Sequence, residues 1–118
     1  MYGAARETYA EFTVARADQM AVKPSRLTFE ESAVLPYAAF PALQGLRDHG
    51  HVQPRQRVLV VGASAAVGSI AVQLAKAIGA EVTGVCGPRD VDLTHSLGAE
   101  HVADYSSQDF ADGARVMT

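Results

Sequence analysis

The sequence predicts an α/β protein built on a parallel, doubly wound sheet, and three features of one stretch support this prediction. Val58–Val61 is an unbroken aliphatic run, which is typical of a strand buried on both faces of a parallel sheet. The turn Gly62–Gly68 consists mainly of small residues, and the apolar spacing after it predicts a helix over residues 67–78. Gly79 ends that helix, and Glu81–Cys86 has the composition of a second strand. These elements together form a βαβ unit.

The turn between the first strand and the helix has the chemistry of an anion-binding site. A helix N-terminus carries unpaired N–H groups and a positive dipole end, and small residues let the backbone approach a pyrophosphate. However, when residues 63–68 are aligned with the G-x-G-x-x-G pattern, only Gly68 matches a glycine of the pattern. This last glycine is the one that allows close packing of the helix on the strand. The turn alone therefore leaves open a βαβ unit that binds no nucleotide. Its candidate cofactor-binding residues are Gly62, Ala63, Ser64, Ala65, Ala66, Val67 and Gly68.

Composition limits the possible partners and the compartment. The chain has 118 residues, 48% of them hydrophobic, which suits one small globular domain. Its net charge of −3, without a basic cluster, argues against a nucleic-acid partner. No apolar run approaches the length of a membrane span and no signal peptide is recognisable, so we expect no membrane partner. A single cysteine, Cys86, excludes an internal disulfide and a cysteine-built zinc site, and a cytoplasmic location fits this.

The N-terminal part predicts a β-ribbon followed by a helix. In Thr8–Val14, apolar and polar residues alternate, which predicts a half-buried strand. Met20–Lys23 predicts a second short extended segment, stopped by Pro24. Thr28 and Glu31 have the spacing of a capping box, in which each side chain bonds the backbone N–H of the other residue. A helix is therefore expected to begin here.

Two prolines divide the helical region in this prediction. The first helix should stop before Pro36, because proline disfavours helical backbone in the residue before it. Pro41 is placed at the first position of a second helix, where its missing N–H does no harm, and that helix should end near Gly50. His49 and His51 have the appearance of a metal pair, but a solvated helix end followed by a loop is the favoured interpretation.

The rest of the chain predicts a third strand and two further helices. Gly87–Asp90 is a turn, and apolar positions from Val91 to Leu97 indicate a short helix closed by Gly98. His101–Ala103 predicts a third strand, and Gln108–Met117 another helix. The expected sheet therefore has three parallel strands, with the first strand at one edge.

Six stretches, distributed over most of the chain in order, carry a family resemblance: Y-A-E-F at Tyr9, L-T-F-E-E-S-A-V-L-P at Leu27, A-L-Q-G-L at Ala42, V-L-V-V-G-A-S-A-A-V-G at Val58, A-V-Q-L-A-K-A-I-G-A-E-V at Ala71 and L-G-A-E-H-V-A-D-Y at Leu97. In these stretches the chain resembles the zinc-independent medium-chain dehydrogenase/reductases, the group of quinone oxidoreductases and enoyl reductases. Because the matches follow the family's order, they are more specific than the glycine turn by itself.

The resemblance implies a central part of a full member, about a third of it by usual domain sizes. Residues 1–27 would be a remnant of a GroES-like catalytic domain, and residues 28–118 a partial NAD(P)-binding Rossmann domain, its first mononucleotide half. The implied activity is NADPH-dependent, metal-free hydride transfer to a quinone or an α,β-unsaturated carbonyl. No residue is assigned as catalytic, and a homo-oligomer is left open. The alternative is a non-catalytic nucleotide-binding fragment or a decayed remnant.

Three positions depart from the family pattern. Ala65 and Ala66 stand where the family has Gly-Gly, so each adds a methyl group where the backbone should meet phosphate. Pro41 replaces a threonine near the nicotinamide. Tyr37 stands where zinc-dependent relatives have a metal-binding cysteine, which disfavours a zinc mechanism.

Charges at the end of the second strand predict a preference for NADPH. NAD-binding units place an acidic residue there for the ribose 2′-hydroxyl, but this strand ends in Cys86-Gly87 and Arg89 follows. The planar guanidinium fork of arginine suits a 2′-phosphate. By resemblance, Tyr105 would add a hydroxyl to the same phosphate, although Gly87 lacks the serine of many relatives. A solvated turn residue at 89 and ordinary packing at 105 are the alternatives.

Overall fold

The computed structural model describes residues 1–109 and 111 of the chain. The chain divides into two compact units, Met1–Phe40 and Pro41–Thr118. The predicted domain boundary between residues 27 and 28 stays a prediction, as does the assignment of the first 27 residues to a GroES-like domain. The helix expected over Gln108–Met117 falls mainly outside the described residues.

The first unit contains a small antiparallel ribbon. β1 (Tyr2–Gly3) pairs with β2 (Met20–Ala21), so the extended segment predicted from Met20 is a strand over its first two residues. The strand predicted over Thr8–Val14 is wrong, because that segment is irregular and exposed on both of its alternating faces. A strand needs a hydrogen-bonded neighbour, and no described residue pairs with this segment.

Helix α1 runs from Phe29 to Leu43, and its capping box is present. The Thr28 N–H donates to the Glu31 carboxylate (2.8 Å), and the Glu31 N–H donates to the Thr28 hydroxyl (3.1 Å). The expected stop before Pro36 and the placement of Pro41 at a helix start are both wrong, since both prolines lie inside α1. Each proline costs about 3 kcal/mol locally, so interactions elsewhere in the chain must offset this cost.

A π-helical segment, Gln44–His49, continues α1 and ends at Gly50, as the sequence predicts. Its wider turn is closed by a hydrogen bond from the Gly50 N–H to the Gly45 carbonyl (2.8 Å). His49 and His51 are both exposed at this end, in agreement with a solvated helix terminus.

The second unit contains the parallel sheet that the sequence predicts. Its strands are β3 (Arg57–Val61), β4 (Glu81–Cys86) and β5 (His101–Asp104), in the order β3-β4-β5. Helix α2 (Ala66–Ile78) connects the first two strands, and α3 (Val91–Ser96) connects the second and third. The α/β fold class and the βαβ unit are therefore confirmed.

One face of the sheet carries the core of this unit. The buried residues that pack together there are Leu46, Val60, Ala63, Val72, Ala75, Ala80, Val82 and Ala99. The expectation that β3 is buried on both faces is wrong: Leu59 is 43% exposed and Val61 62% exposed. Their side chains alternate in direction with that of Val60, so they point away from the core. An aliphatic run is compatible with a strand buried on both faces, but β3 is packed only on the face that carries Val60.

Candidate functional site

Parallel pairing brings the turns after the three strands to one edge of the sheet, the carboxyl edge. The N–H groups of Gly62 and Ala63 both donate to the Val85 carbonyl of β4, at 3.0 and 2.9 Å. On the other side of β4, the Tyr105 N–H donates to the Cys86 carbonyl at 3.2 Å. These bonds hold the small-residue turn, the turn after β4 and Tyr105 at the same edge of the sheet.

The turn after β3 exposes the N-terminus of α2. Gly62 has a φ of +77°, in the left-handed region that favours glycine, and the Ala65 N–H donates to its carbonyl at 3.0 Å. Ala65 is the N-cap residue of α2, and its side chain provides no capping hydrogen bond. The N–H groups of the first helical turn therefore lack a side-chain acceptor and can receive an anionic ligand.

Gly68 permits the close approach of α2 to this turn. A Cβ atom on Gly68 would lie 2.0 Å from the Gly62 carbonyl oxygen and 2.8 Å from its carbon, a distance that no side chain tolerates. Ala63 is fully buried, and its Cβ lies 3.0 Å from where a Cβ on Gly84 would be. Ala63 therefore packs in the core, and its methyl group does not occupy the surface of the turn.

The other turn residues form the accessible surface at the start of α2. Ala65, Ala66 and Val67 are exposed, and Ser64 is half-buried. Ala65 and Ala66 are thus accessible to solvent at the start of α2. Whether these residues contact a dinucleotide stays a prediction.

Tyr105 lies close to Gly87, and the sequence did not suggest this packing. A Cβ atom on Gly87 would lie 3.2 Å from the Tyr105 hydroxyl oxygen and 3.6 Å from its Cζ. The φ of Gly87 is −76°, so the backbone conformation does not require glycine here. The absence of a side chain instead leaves room for the tyrosine, whose ring is exposed. The sequence feature from which this packing could have been predicted is that a glycine and a tyrosine directly follow neighbouring parallel strands.

Arg89 provides an accessible positive charge at the same edge. It lies in the short 3₁₀ turn Pro88–Asp90, is exposed, and makes no hydrogen bond or ion pair with any described residue. Asp104 lies opposite Cys86 in the β4–β5 register, but it accepts hydrogen bonds from the hydroxyl and N–H of Ser106 at 2.7 and 2.8 Å. These bonds, the hydroxyl first, hold the pKa of the Asp104 carboxyl below its usual range.

Within residues 1–109 and 111, no three His, Cys, Asp or Glu side chains are grouped so as to hold a metal ion. Tyr37 is exposed on α1, and Cys86 is buried in β4. None of the helices in the same residues has the length and apolar character needed to cross a membrane. The absence of a metal site stays a prediction.

Comparison with known proteins identifies the family. A family model described as zinc-binding dehydrogenase matches residues 66–118. The mitochondrial NAD(P)H oxidoreductase RTN4IP1 of Bos taurus is 39% identical over 104 residues, which is 85% of this chain and 26% of that protein. The chloroplastic quinone-oxidoreductase homolog of Spinacia oleracea is 36% identical, over 86% of this chain and 32% of its own length. The chain belongs to the medium-chain dehydrogenase/reductase family.

Solved structures of family members agree with this assignment. The quinone oxidoreductase of Coxiella burnetii superposes with a TM-score of 0.79 at 33% identity, over 84% of this chain and 31% of that one. A structure described as an NAD-dependent alcohol dehydrogenase gives a TM-score of 0.85 at 36% identity, over 94% of this chain and 33% of that one. The chain thus spans about a quarter to a third of these proteins and corresponds to a central part of a quinone oxidoreductase or enoyl reductase-like member.

Two finer expectations remain predictions after these comparisons. The matched proteins include one described by its NAD(P)H activity and one described as NAD-dependent, so they leave the preference for NADPH open. The names of the two relatives place them in mitochondria and chloroplasts, so the cytoplasmic location of this chain also stays a prediction.

Proposed function

We propose that this chain is the dinucleotide-binding part of an NADPH-dependent oxidoreductase that reduces a quinone or an α,β-unsaturated carbonyl without zinc. The observation that carries the proposal is the shared carboxyl edge, where the uncapped start of α2 and the accessible guanidinium of Arg89 follow neighbouring strands. In open α/β sheets, ligands bind at the carboxyl ends of the strands. The names of the relatives, NAD(P)H oxidoreductase and quinone-oxidoreductase homolog, support the same class of reaction.

The start of α2 has the features expected of a pyrophosphate site. Its first-turn N–H groups are available, and Gly62 and Gly68 let the chain turn sharply against the helix. The exposed methyl groups of Ala65 and Ala66 reduce the space for the phosphates. The residues fit a dinucleotide, and we expect low absolute affinity for it, because both alanines stand where the backbone should meet phosphate.

Arg89 and Tyr105 account for the proposed preference for NADPH. The guanidinium is free to form charge-assisted hydrogen bonds with a 2′-phosphate, and the Tyr105 hydroxyl beside Gly87 can donate another. The one carboxylate opposite the end of β4, Asp104, is engaged by Ser106. Arg89 therefore offers a 2′-phosphate a basic partner at this point, with a charge-assisted hydrogen bond that a 2′-hydroxyl cannot match.

The residues of this chain bind and position, and none is assigned to the chemical step. The nicotinamide, when bound, supplies the hydride, and the protein supplies orientation and electrostatics. Zinc catalysis needs thiolate, imidazole or carboxylate ligands. Tyr37 provides a phenol at the position of the zinc-binding cysteine in zinc-dependent relatives, and Cys86 is buried within the sheet. This donor set supports a mechanism without zinc.

Calorimetric titration of the purified 118-residue chain with NADPH and with NADH tests the proposal. A partly exposed arginine–phosphate contact changes affinity by about tenfold to a hundredfold, so NADPH should bind tighter by that factor. Equal affinities, or tighter binding of NADH, would refute the preference. Oxidation of NADPH with a small quinone should be at most a trace activity, because hydride transfer needs donor and acceptor held in near-contact geometry. Robust turnover would refute this expectation.

A further inference from the structure

Asp104 organises the turn that follows β5. Its Oδ1 atom accepts two hydrogen bonds from Ser106, one from the hydroxyl (2.7 Å) and one from the N–H (2.8 Å). Its carbonyl oxygen accepts bonds from the N–H groups of Ser107 (3.2 Å) and Gln108 (2.9 Å). Because these hydrogen bonds converge on one residue, they hold residues 104–108 in a compact turn.

Tyr105 lies within this turn, and its backbone is held on both sides. Before it, Asp104 is the last residue of β5 and pairs with Cys86 in the register of the sheet. The Tyr105 N–H donates to the Cys86 carbonyl (3.2 Å). After it, Ser106 is bonded to the Asp104 carboxylate. Since the backbone conformation limits the directions that a side chain can take, these bonds direct the tyrosine ring toward Gly87.

We propose, on the basis of the function proposed above, that Asp104 is a positioning residue for the 2′-phosphate of NADPH. Its carboxylate holds the turn that keeps the Tyr105 hydroxyl at the carboxyl edge of the sheet. Asp104 is assigned no contact with the cofactor, because Ser106 occupies its Oδ1 atom and because a carboxylate repels a phosphate. Asp104 therefore acts through the tyrosine.

The Asp104 carboxylate has two effects of opposite sign on a nearby 2′-phosphate. As a hydrogen-bond acceptor it orders the turn, and as a negative charge it weakens phosphate binding. The bonds from Ser106, the hydroxyl first, lower the pKa of the carboxyl, so the charge persists at neutral pH. Asparagine keeps an Oδ1 acceptor without the charge, whereas alanine removes both. The difference between Asp104→Asn and Asp104→Ala therefore measures the acceptor alone.

Calorimetric titration of these two variants of the 118-residue chain with NADPH and NADH tests the proposal. The NADPH-to-NADH affinity ratio should be about threefold to tenfold lower for Asp104→Ala than for Asp104→Asn, because one hydrogen bond of Tyr105 is disturbed. In a Tyr105→Phe background the two substitutions should give equal ratios. Equal ratios in the presence of Tyr105, or a difference that persists without its hydroxyl, would overturn the proposal.

Asp92 provides the matched control for these substitutions. It is exposed on α3 and makes no hydrogen bond or ion pair with any described residue. Asp92→Asn and Asp92→Ala should therefore give the same affinity ratio. A difference at position 92 as large as that at position 104 would show that the ratio does not report the Asp104 turn, and it would overturn the proposal.

Amide hydrogen exchange of the cofactor-free chain, measured by NMR, distinguishes the role of Asp104 from the proposed function. The Tyr105 and Ser106 amides should exchange about threefold to tenfold faster in Asp104→Ala than in Asp104→Asn, because loss of the acceptor opens the turn. The amides of α2 should exchange equally in both variants, which checks that the βαβ unit is folded. Equal rates at Tyr105 and Ser106 would overturn the role of Asp104, whatever the cofactor affinities. The expected rates in a chain that binds both cofactors equally would retain the positioning of Tyr105 and overturn its assignment to the 2′-phosphate.

Discussion

Tyr105 lies over Gly87, with its hydroxyl oxygen 3.2 Å from the position that a Cβ atom on Gly87 would occupy. The two residues follow neighbouring strands, and the Tyr105 N–H is bonded to the end of β4. A side chain at residue 87 would therefore require the exposed tyrosine ring to move by a few tenths of an ångström.

This relationship predicts an energetic coupling between the two positions. Gly87→Ala should displace the exposed ring and lower the NADPH-to-NADH affinity ratio by about threefold to tenfold, since it disturbs one hydrogen bond. Tyr105→Phe should lower the ratio similarly. In the double variant the two effects should not add, because both remove the same contact. Calorimetric titration of the four proteins measures the coupling, and fully additive effects would show that Tyr105 and Gly87 act independently.

Arg89 is predicted to decide the cofactor preference. Arg89→Glu should remove or invert the preference for NADPH, a change of about tenfold to a hundredfold in the affinity ratio, with little effect on NADH. Arg55→Glu is the control with the same charge change, since Arg55 precedes β3 at the opposite edge of the sheet. Both variants are titrated with both cofactors. A ratio unaffected by Arg89→Glu would assign this arginine to a solvated turn.

Gly68 is predicted to be essential for the stability of the βαβ unit. Gly68→Ala would drive a methyl group into the Gly62 carbonyl, and we expect a loss of about 3 kcal/mol or more in the free energy of unfolding. Gly45→Ala is the matched control, because its segment is helical and its added Cβ has no atom within 4 Å apart from the adjacent residues and the backbone of its own helix. It should be neutral or slightly stabilising. Urea denaturation followed by circular dichroism compares them, and similar losses in both would contradict the steric explanation.

Glu100 is predicted to make stability depend on acidic pH. The ammonium group of Lys76, and then the Val82 N–H, lower the pKa of the Glu100 carboxyl to about 2. Because the folded pKa lies below the ordinary value of 4.5, the stabilisation is complete above that value. It is lost as the pH falls toward 2. Solvent screens this surface pair, so its contribution at neutral pH is about 1 kcal/mol.

Urea denaturation of the wild type and Glu100→Gln checks this pH dependence. The difference in unfolding free energy should be about 1 kcal/mol at pH 7 and should shrink as the pH falls below 4.5. Glu11→Gln is the control, since Glu11 is exposed and forms no ion pair with a described residue. A difference for Glu100→Gln that stays constant down to pH 3 would show that the lost stability does not come from this ionisation.

The local elements of the βαβ unit could be predicted from the sequence alone. The strand Glu81–Cys86 has the predicted bounds, α2 begins within one residue of its expected start, and Gly79 ends it in the left-handed conformation. The capping box of Thr28 and Glu31 also forms as expected. These features depend on hydrogen bonds within a few residues and on backbone conformations that glycine adopts readily, so neighbouring residues suffice to specify them.

Contacts between residues far apart in the sequence determine the features of the fold that the sequence did not predict. α1 continues through Pro36 and Pro41 despite their local cost, and Thr8–Val14 forms no strand because no described residue pairs with it. An alternating pattern, like an aliphatic run, indicates which faces of a strand can be buried, but it does not say which neighbour will bury them. The approach of Tyr105 to Gly87 likewise required the parallel register of β4 and β5, which places residues 18 positions apart in contact. Such contacts arise only when separate elements pack, because propensity describes each segment alone.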